Sequence, residues 1–174
     1  GIYDDTVIAY TSDHGDACGS HGLRAKLPCV YEEVMGVPLI MKVPGVTQAG
    51  TETDALATHV DLATTLCALG GVDIDDAPTL SGVDLSPALA DPSASPRDYV
   101  FFAQDAAQSD LIANTRYAVR GFFDGQTKYA RYYGIGGGVD RAGNVDERPK
   151  LFGEDAAFED HDHEWYEPAD DPHE

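Results

Sequence analysis

The segment TVIAYTSDHGDACGSHGLRAK, residues 6–26, carries the strongest local evidence for the fold of this chain. It begins with an apolar, β-branched run over residues 6–11, which predicts a strand of a parallel sheet covered on both faces. Asp13 and His14 follow this run almost at once. Ligand sites in open α/β sheets lie beyond the carboxyl ends of the strands, so we expect a carboxylate and an imidazole where chemistry takes place.

The first ~90 residues predict alternating strands and helices. We expect a short helix at 31–35, a strand at 37–43 that neighbours the first strand, and a helix capped by Asp61 that ends at Leu69. This order of elements predicts an α/β fold with a mostly parallel sheet.

The remaining sequence predicts a different arrangement, because β-rich runs replace the alternation of strands and helices. We expect strands at 99–103, 112–123, 126–133 and 159–165. Asp124-Gly125 is a two-residue hairpin signal between the second and third of these. The pattern therefore indicates a smaller antiparallel subdomain after the parallel lobe.

Nine segments, in this order, resemble the sulfatase family of the alkaline-phosphatase superfamily. They are TSDHGD at 11–16, GSHG at 19–22, Lys26, YEE at 31–33 with VPLI at 37–40, HVDLATTLCALGGV at 59–72, LSGVDLSPAL at 80–89, RYAVRGFFDGQTKYARYY at 116–133 and HEWYEPADDPHE at 163–174. Thr64 stands where the family pattern has proline. The resemblance implies that residues 1–90 are the C-terminal part of the α/β catalytic domain. It implies that residues 91–174 are the smaller antiparallel subdomain with an acidic tail.

The other half of the family's active site has no counterpart in this sequence. Family members carry two further Asp ligands and a C/S-x-P-x-R motif, whose Cys or Ser is oxidised to the formylglycine nucleophile. None of the three cysteines, Cys18, Cys29 and Cys67, begins such a motif. We interpret the chain as the C-terminal portion of a longer enzyme and expect residues 1–174 alone to be inactive.

The resemblance implies that Asp13 and His14 are metal ligands, with Ca²⁺ the most usual ion in sulfatases. Asp13 is a hard oxygen ligand suited to Ca²⁺, Mg²⁺ or Mn²⁺, and His14 extends the choice to Mn²⁺ or Zn²⁺. Each residue also has a structural interpretation, a cap or turn for Asp13 and an outer-sphere role for His14.

By the same resemblance, Lys26 is a catalytic residue that binds a sulfate oxygen, since its ammonium is a compact cation with three donors. His21 either orients the loop or contacts the leaving-group oxygen. Three other polar positions are interpreted as structural. Asp16 would fix the loop, His59 would cap or pack, and the alternating Asp160–Glu164 stretch would form an exposed strand face rather than a metal site.

The leading hypothesis is a metal-dependent sulfatase that acts on a small-molecule or carbohydrate sulfate ester. A divalent cation can neutralise charge on the sulfuryl oxygens and acidify a hydroxyl. One alternative is a phosphodiesterase or phosphonate monoester hydrolase of the same superfamily. The other is a non-catalytic, truncated chain. The sequence upstream of Gly1 would discriminate among the three.

A net charge of −20, from 31 acidic and 11 basic residues, predicts repulsion of nucleic acid and anionic membranes. We interpret this charge as the solvated surface of a halophilic protein. The sequence contains no run of 18 apolar residues, so no transmembrane helix is expected. The three cysteines form no C-x-x-C pair. A cytoplasmic location is expected, and the pattern indicates no oligomeric state.

Overall fold

The computed structural model describes residues 1–26, 28–76, 79–104, 118–133 and 157–171. In chain order, the strands and α-helices within these ranges are β1 (Ile8–Thr11), α1 (Glu32–Met35), β2 (Leu39–Lys42), α2 (His59–Leu69), α3 (Ser86–Ala90), β3 (Val100–Gln104), β4 (Ala118–Phe123), β5 (Lys128–Tyr133) and β6 (Asp162–Tyr166). The chain divides into two compact units, residues 1–14 with 37–100 and residues 15–36 with 101–174. No helix in the described ranges is long and apolar enough to cross a membrane.

The first unit contains β1 and β2, which pair as predicted neighbours. Their direction differs from the prediction. The pair is antiparallel, with Ile8 opposite Lys42 and Thr11 opposite Leu39. A parallel pair needs a long crossover, usually a helix that packs back on the sheet. Among the described residues between β1 and β2, the one α-helix is the four-residue α1, which belongs to the second unit. The two strands are therefore neighbours, as predicted, but this one pair is antiparallel and not parallel.

Strand β1 is also more exposed than its apolar sequence predicts. Ile8 is 38% exposed and Tyr10 is 62% exposed. In the described part of the chain, β1 has β2 as its single partner strand. The prediction of a strand covered on both faces is therefore wrong for the described residues.

Helix α2 begins two residues before the predicted cap. Thr58 is the N-cap, and Asp61 is the third helical residue, whose carboxylate accepts the Thr58 backbone N–H at 2.8 Å. This reciprocal arrangement is a capping box, so Asp61 stabilises the helix start from inside the first turn.

The buried Asp61 carboxylate also fixes the segments that surround α2. It accepts the Val83 backbone N–H at 2.9 Å and forms an ion pair with the Arg97 guanidinium. Gly82 lies so close that a Cβ atom there would overlap the Val60 carbonyl oxygen. Asp61 therefore anchors the start of α2 to two distant parts of the same unit.

The second unit contains a four-stranded sheet in the order β3-β4-β5-β6, and both the β4–β5 and the β5–β6 pairs are antiparallel. This confirms the predicted antiparallel arrangement. Its core consists of buried residues with two partly buried aromatic rings packed against them, namely Val30, Val119, Ala130 and Tyr132 with Phe102 and Tyr166. Burial, and then the Glu164 carboxylate that accepts its hydroxyl, raise the pKa of Tyr132.

The turn between β4 and β5 is longer than the predicted two-residue hairpin. Four residues, 124–127, connect the strands. The Asp124 carboxylate organises this loop, because it accepts the backbone N–H groups of Thr127 at 2.7 Å and Gln126 at 2.9 Å. These two bonds, led by that from Thr127, lower the pKa of Asp124. The expected strand residues 112–117 lie outside the described residues.

Candidate active site

Two potential metal ligands lie just after β1, in the first unit. The Asp13 side chain is 82% exposed and that of His14 is 35% exposed. Asp13 Oδ2 and His14 Nε2 are 3.3 Å apart. One cation at the usual ligand distances, about 2.3–2.6 Å for Ca²⁺–O, can contact two donors at this separation. The two residues therefore present two neighbouring donors of different kinds, a carboxylate oxygen and an imidazole nitrogen.

Hydrogen bonds within the loop hold these two residues. The Ser12 hydroxyl donates to the His14 carbonyl at 2.8 Å, and the His14 backbone N–H donates to Asp13 Oδ1 at 3.1 Å. A third bond comes from α2, where His59 Nε2 lies 2.6 Å from the Ser12 carbonyl oxygen. Sequence analysis missed this contact, because no local pattern connects residues 47 positions apart.

Asp13 and His14 fit part of a divalent-cation site. Calcium takes six to eight oxygen ligands, and Mn²⁺ or Zn²⁺ accepts an imidazole beside carboxylates. Within the described ranges, no group of three or more His, Cys, Asp and Glu side chains is arranged to hold a metal ion. The pair therefore supplies suitable donor atoms but not a complete ligand set.

The glycine that follows His14 opens the second unit and contacts α1 closely. The Gly15 backbone N–H donates to the Val34 carbonyl at 2.9 Å. A Cβ atom at Gly15 would overlap the Glu33 carbonyl oxygen. Glycine is required here because two backbone segments approach each other directly.

His21 is held against the start of α1 within the second unit. Its backbone has a left-handed φ of 53°, and its ring stacks on Tyr31 with the centroids 3.9 Å apart. His21 Nε2 is 3.5 Å from Glu33 Oε2. The pKa of Glu33 is lowered by its own backbone N–H, then by the Ser20 hydroxyl, with His21 adding a smaller contribution. Of the two predicted roles of His21, these contacts favour loop orientation.

Lys26 is exposed and follows Ala25, which has a left-handed φ of 61°. Among the described residues, its ammonium makes no hydrogen bond or ion pair. Asp16 fixes the preceding turn, as predicted, by accepting the Cys18 backbone N–H at 2.8 Å. Lys26 and His21 belong to the second unit, whereas Asp13 and His14 belong to the first.

His161 and His163, which lie just before and within β6, form hydrogen bonds that support the sheet. His161 is buried and its Nδ1 accepts the Arg131 Nε–H at 2.6 Å. His163 contacts the Tyr129 hydroxyl through Nδ1 at 2.7 Å and the Phe158 carbonyl through Nε2 at 2.9 Å. The structural interpretation agrees with these contacts, although His161 is buried rather than part of an exposed strand face.

Comparison with known proteins gives matches to sulfatases. Residues 1–72 match the model of the Sulfatase family. The N-acetylglucosamine-6-O-sulfatase of Bacteroides thetaiotaomicron is 35% identical over 99 residues, which cover 57% of this chain and 17% of that protein. The matched residues therefore span about a sixth of the length of this curated relative.

Two solved structures resemble nearly the whole chain. One is described as bound to its substrate D-glucosamine-2-N,6-O-disulfate and has a TM-score of 0.75 at 24% identity. The match covers 99% of this chain and 30% of the chain in that structure. The other, a 2-O GAG sulfatase, has a TM-score of 0.68 at 24% identity and covers 98% of this chain and 31% of its own. Residues 1–72 thus match the sulfatase family, and the chain has the α/β fold of part of a sulfatase.

Proposed function

We propose that the protein containing this chain hydrolyses sulfate esters and that its substrate is a sulfated carbohydrate. The observation that carries the proposal is the Asp13–His14 donor pair directly after β1, within the residues that match the sulfatase family model. The substrate class is supported by two similar proteins, one a sugar sulfatase and the other bound to a glucosamine disulfate.

Asp13 and His14 hold a divalent cation in this proposal, with Ca²⁺ the expected ion and Mn²⁺ or Zn²⁺ the alternatives. When bound, such a cation supplies positive charge to the sulfuryl oxygens. Asp13 contributes a charged oxygen ligand. His14 must be neutral to offer a lone pair, so protonation of its ring would oppose binding.

Lys26 acts on the substrate in this proposal. Its ammonium donates to a sulfuryl oxygen and stabilises the negative charge that develops there in the transition state. The exposure of Lys26 and its lack of a partner among the described residues support this role, since the ammonium is available to a ligand. His21 orients the intervening loop through its contacts with Tyr31 and Glu33.

The proposal is tested by two substitutions in the full-length protein, which separate cation binding from sulfate binding. Asp13→Ala should weaken cation binding and lower turnover of a sulfated sugar by orders of magnitude, with partial rescue by excess cation. Lys26→Ala should leave cation affinity nearly unchanged and lower turnover roughly a hundred- to a thousand-fold at saturating cation, the effect of losing one preorganised charge contact.

Arg24→Ala is the matched control, because Arg24 is an exposed cation in the same loop. It should retain near-normal turnover, whereas Lys26→Arg should restore only part of it, since a planar fork replaces a compact ammonium. Near-normal turnover of Lys26→Ala would contradict the assignment of Lys26. Faster hydrolysis of an aryl phosphodiester than of sulfate esters would contradict the proposed reaction.

A further inference from the structure

We propose that His59 is a positioning residue that holds the Asp13–His14 loop in the conformation needed for cation binding. The cation-binding part of this inference rests on the proposed function. The observation is the contact of 2.6 Å between His59 Nε2 and the Ser12 carbonyl oxygen, which joins the first residue of α2 to the residue before Asp13.

The chemistry of the contact fixes the state of the ring. A carbonyl oxygen only accepts hydrogen bonds, so Nε2 carries the proton and His59 donates. The peptide group that joins Ser12 to Asp13 is planar, so a bond to its oxygen also sets the direction of the Asp13 N–Cα bond. The Ser12 hydroxyl extends the effect, because it donates to the His14 carbonyl at 2.8 Å.

The anchor at the other end of this contact is rigid. His59 lies two residues before Asp61, whose buried carboxylate binds the Thr58 and Val83 backbone and the Arg97 side chain. Side chains on well-fixed elements hold a ligand loop more exactly than side chains on loops do. The start of α2 is therefore suited to hold the loop after β1.

The bond between His59 and Ser12 is poorly explained as a contact that only stabilises the fold. His59 is exposed, so water would satisfy its ring N–H if the bond to Ser12 were lost. The gain in global stability is therefore small, whereas the order of the loop depends on the bond directly. Partners that orient metal ligands from outside the coordination sphere commonly change metal affinity 10- to 100-fold.

The test uses the isotope-labelled full-length protein and four variants, one of which, Asp13→Ala, removes a proposed ligand. His59→Leu removes the donor, His59→Gln keeps an N–H near the position of Nε2, and Val60→Ala is the control at an exposed neighbour in the same helical turn. Nitrogen NMR of the imidazole reports the tautomer. Backbone relaxation reports the order of residues 12–14, and Ca²⁺ titration is followed at the amides of Asp13 and His14. These local amides separate binding at the loop from diffuse binding to the acidic surface.

We expect the Nε2–H tautomer, ordered residues 12–14 in the wild type, and loss of that order in His59→Leu. Calcium should bind about tenfold more weakly to His59→Leu. His59→Gln should restore both properties, and Val60→Ala should change neither. An unchanged loop in His59→Leu, or a proton on Nδ1 alone, would overturn the inference. Asp13→Ala tests the metal assignment separately from the role of His59. If it leaves the calcium response unchanged, the metal assignment is wrong, while the loop order still decides the role of His59.

Discussion

At the scale of single residues, Gly15 shows why the loop after β1 has its sequence. Its N–H binds the Val34 carbonyl, and its Cα faces the Glu33 carbonyl with no room for a side chain. The residue that follows the two proposed cation ligands is therefore fixed by a direct backbone contact with α1. Any larger residue must move either that helix or the loop.

Replacement of Gly15 by alanine should therefore lower stability by about 1–3 kcal/mol, the usual cost of inserting a methyl group into a closely packed position. Urea unfolding followed by circular dichroism measures the change. Gly70→Ala is the control, because Gly70 has a helical backbone and its nearest atoms lie 3.3 Å from an added Cβ. Equal effects of the two substitutions would show that the contact at Gly15 is unimportant.

At the scale of elements, helix α2 organises much of the first unit through buried polar groups. Thr64 and Thr65 are adjacent and fully buried, but their hydroxyls differ. Thr65 Oγ1 accepts the Leu85 backbone N–H at 2.9 Å, whereas Thr64 Oγ1 has no hydrogen-bond partner in the described structure. One hydroxyl therefore connects α2 to the segment before α3, and the other is buried without compensation.

Replacement of each threonine by valine should change the free energy of unfolding in opposite directions. Thr64→Val removes a buried hydroxyl without a partner and should raise the free energy of unfolding by up to about 1 kcal/mol. Thr65→Val leaves the Leu85 N–H without its acceptor and should lower it by about 1–3 kcal/mol. The midpoints of urea unfolding give both values. Shifts of the same sign would contradict the assigned hydrogen bonds.

At the scale of the whole molecule, charge is the dominant property. A net charge of −20 on 174 residues produces self-repulsion that opposes the folded state in dilute buffer. Two ion pairs of the described residues, Asp61 with Arg97 and Glu32 with Lys128, each involve at least one buried partner. Salt screens such pairs less than it screens exposed charges. Salt should therefore weaken the repulsion more than the attraction.

We accordingly expect the melting temperature to rise between ~0.1 M and ~2 M KCl. The Debye length falls to roughly 3 Å at 1 M, which removes most of the repulsion between surface carboxylates. Circular dichroism melts at the two concentrations measure the shift. A melting temperature that stays the same or falls in high salt would contradict the interpretation of the surface as halophilic.

Local sequence features are enough to predict the class of fold, the positions of most elements and the candidate ligands. Apolar runs, turn residues and the spacing of the motif from 11 to 26 are local properties, so they can be read without coordinates. Helix α1 and strand β5, for example, lie within or close to the expected ranges.

Contacts between groups that are distant in the sequence can be seen only in the folded chain. The antiparallel direction of β1 and β2 depends on the path of the chain between them, which an apolar run does not encode. The Gly15 contact with Glu33 and the His59 bond to Ser12 join residues that are far apart in sequence, and neither has a local signal. The candidate ligands can therefore be identified from the sequence, whereas the contacts of Ser12 with His59 and of Gly15 with Glu33 depend on the packing within each unit.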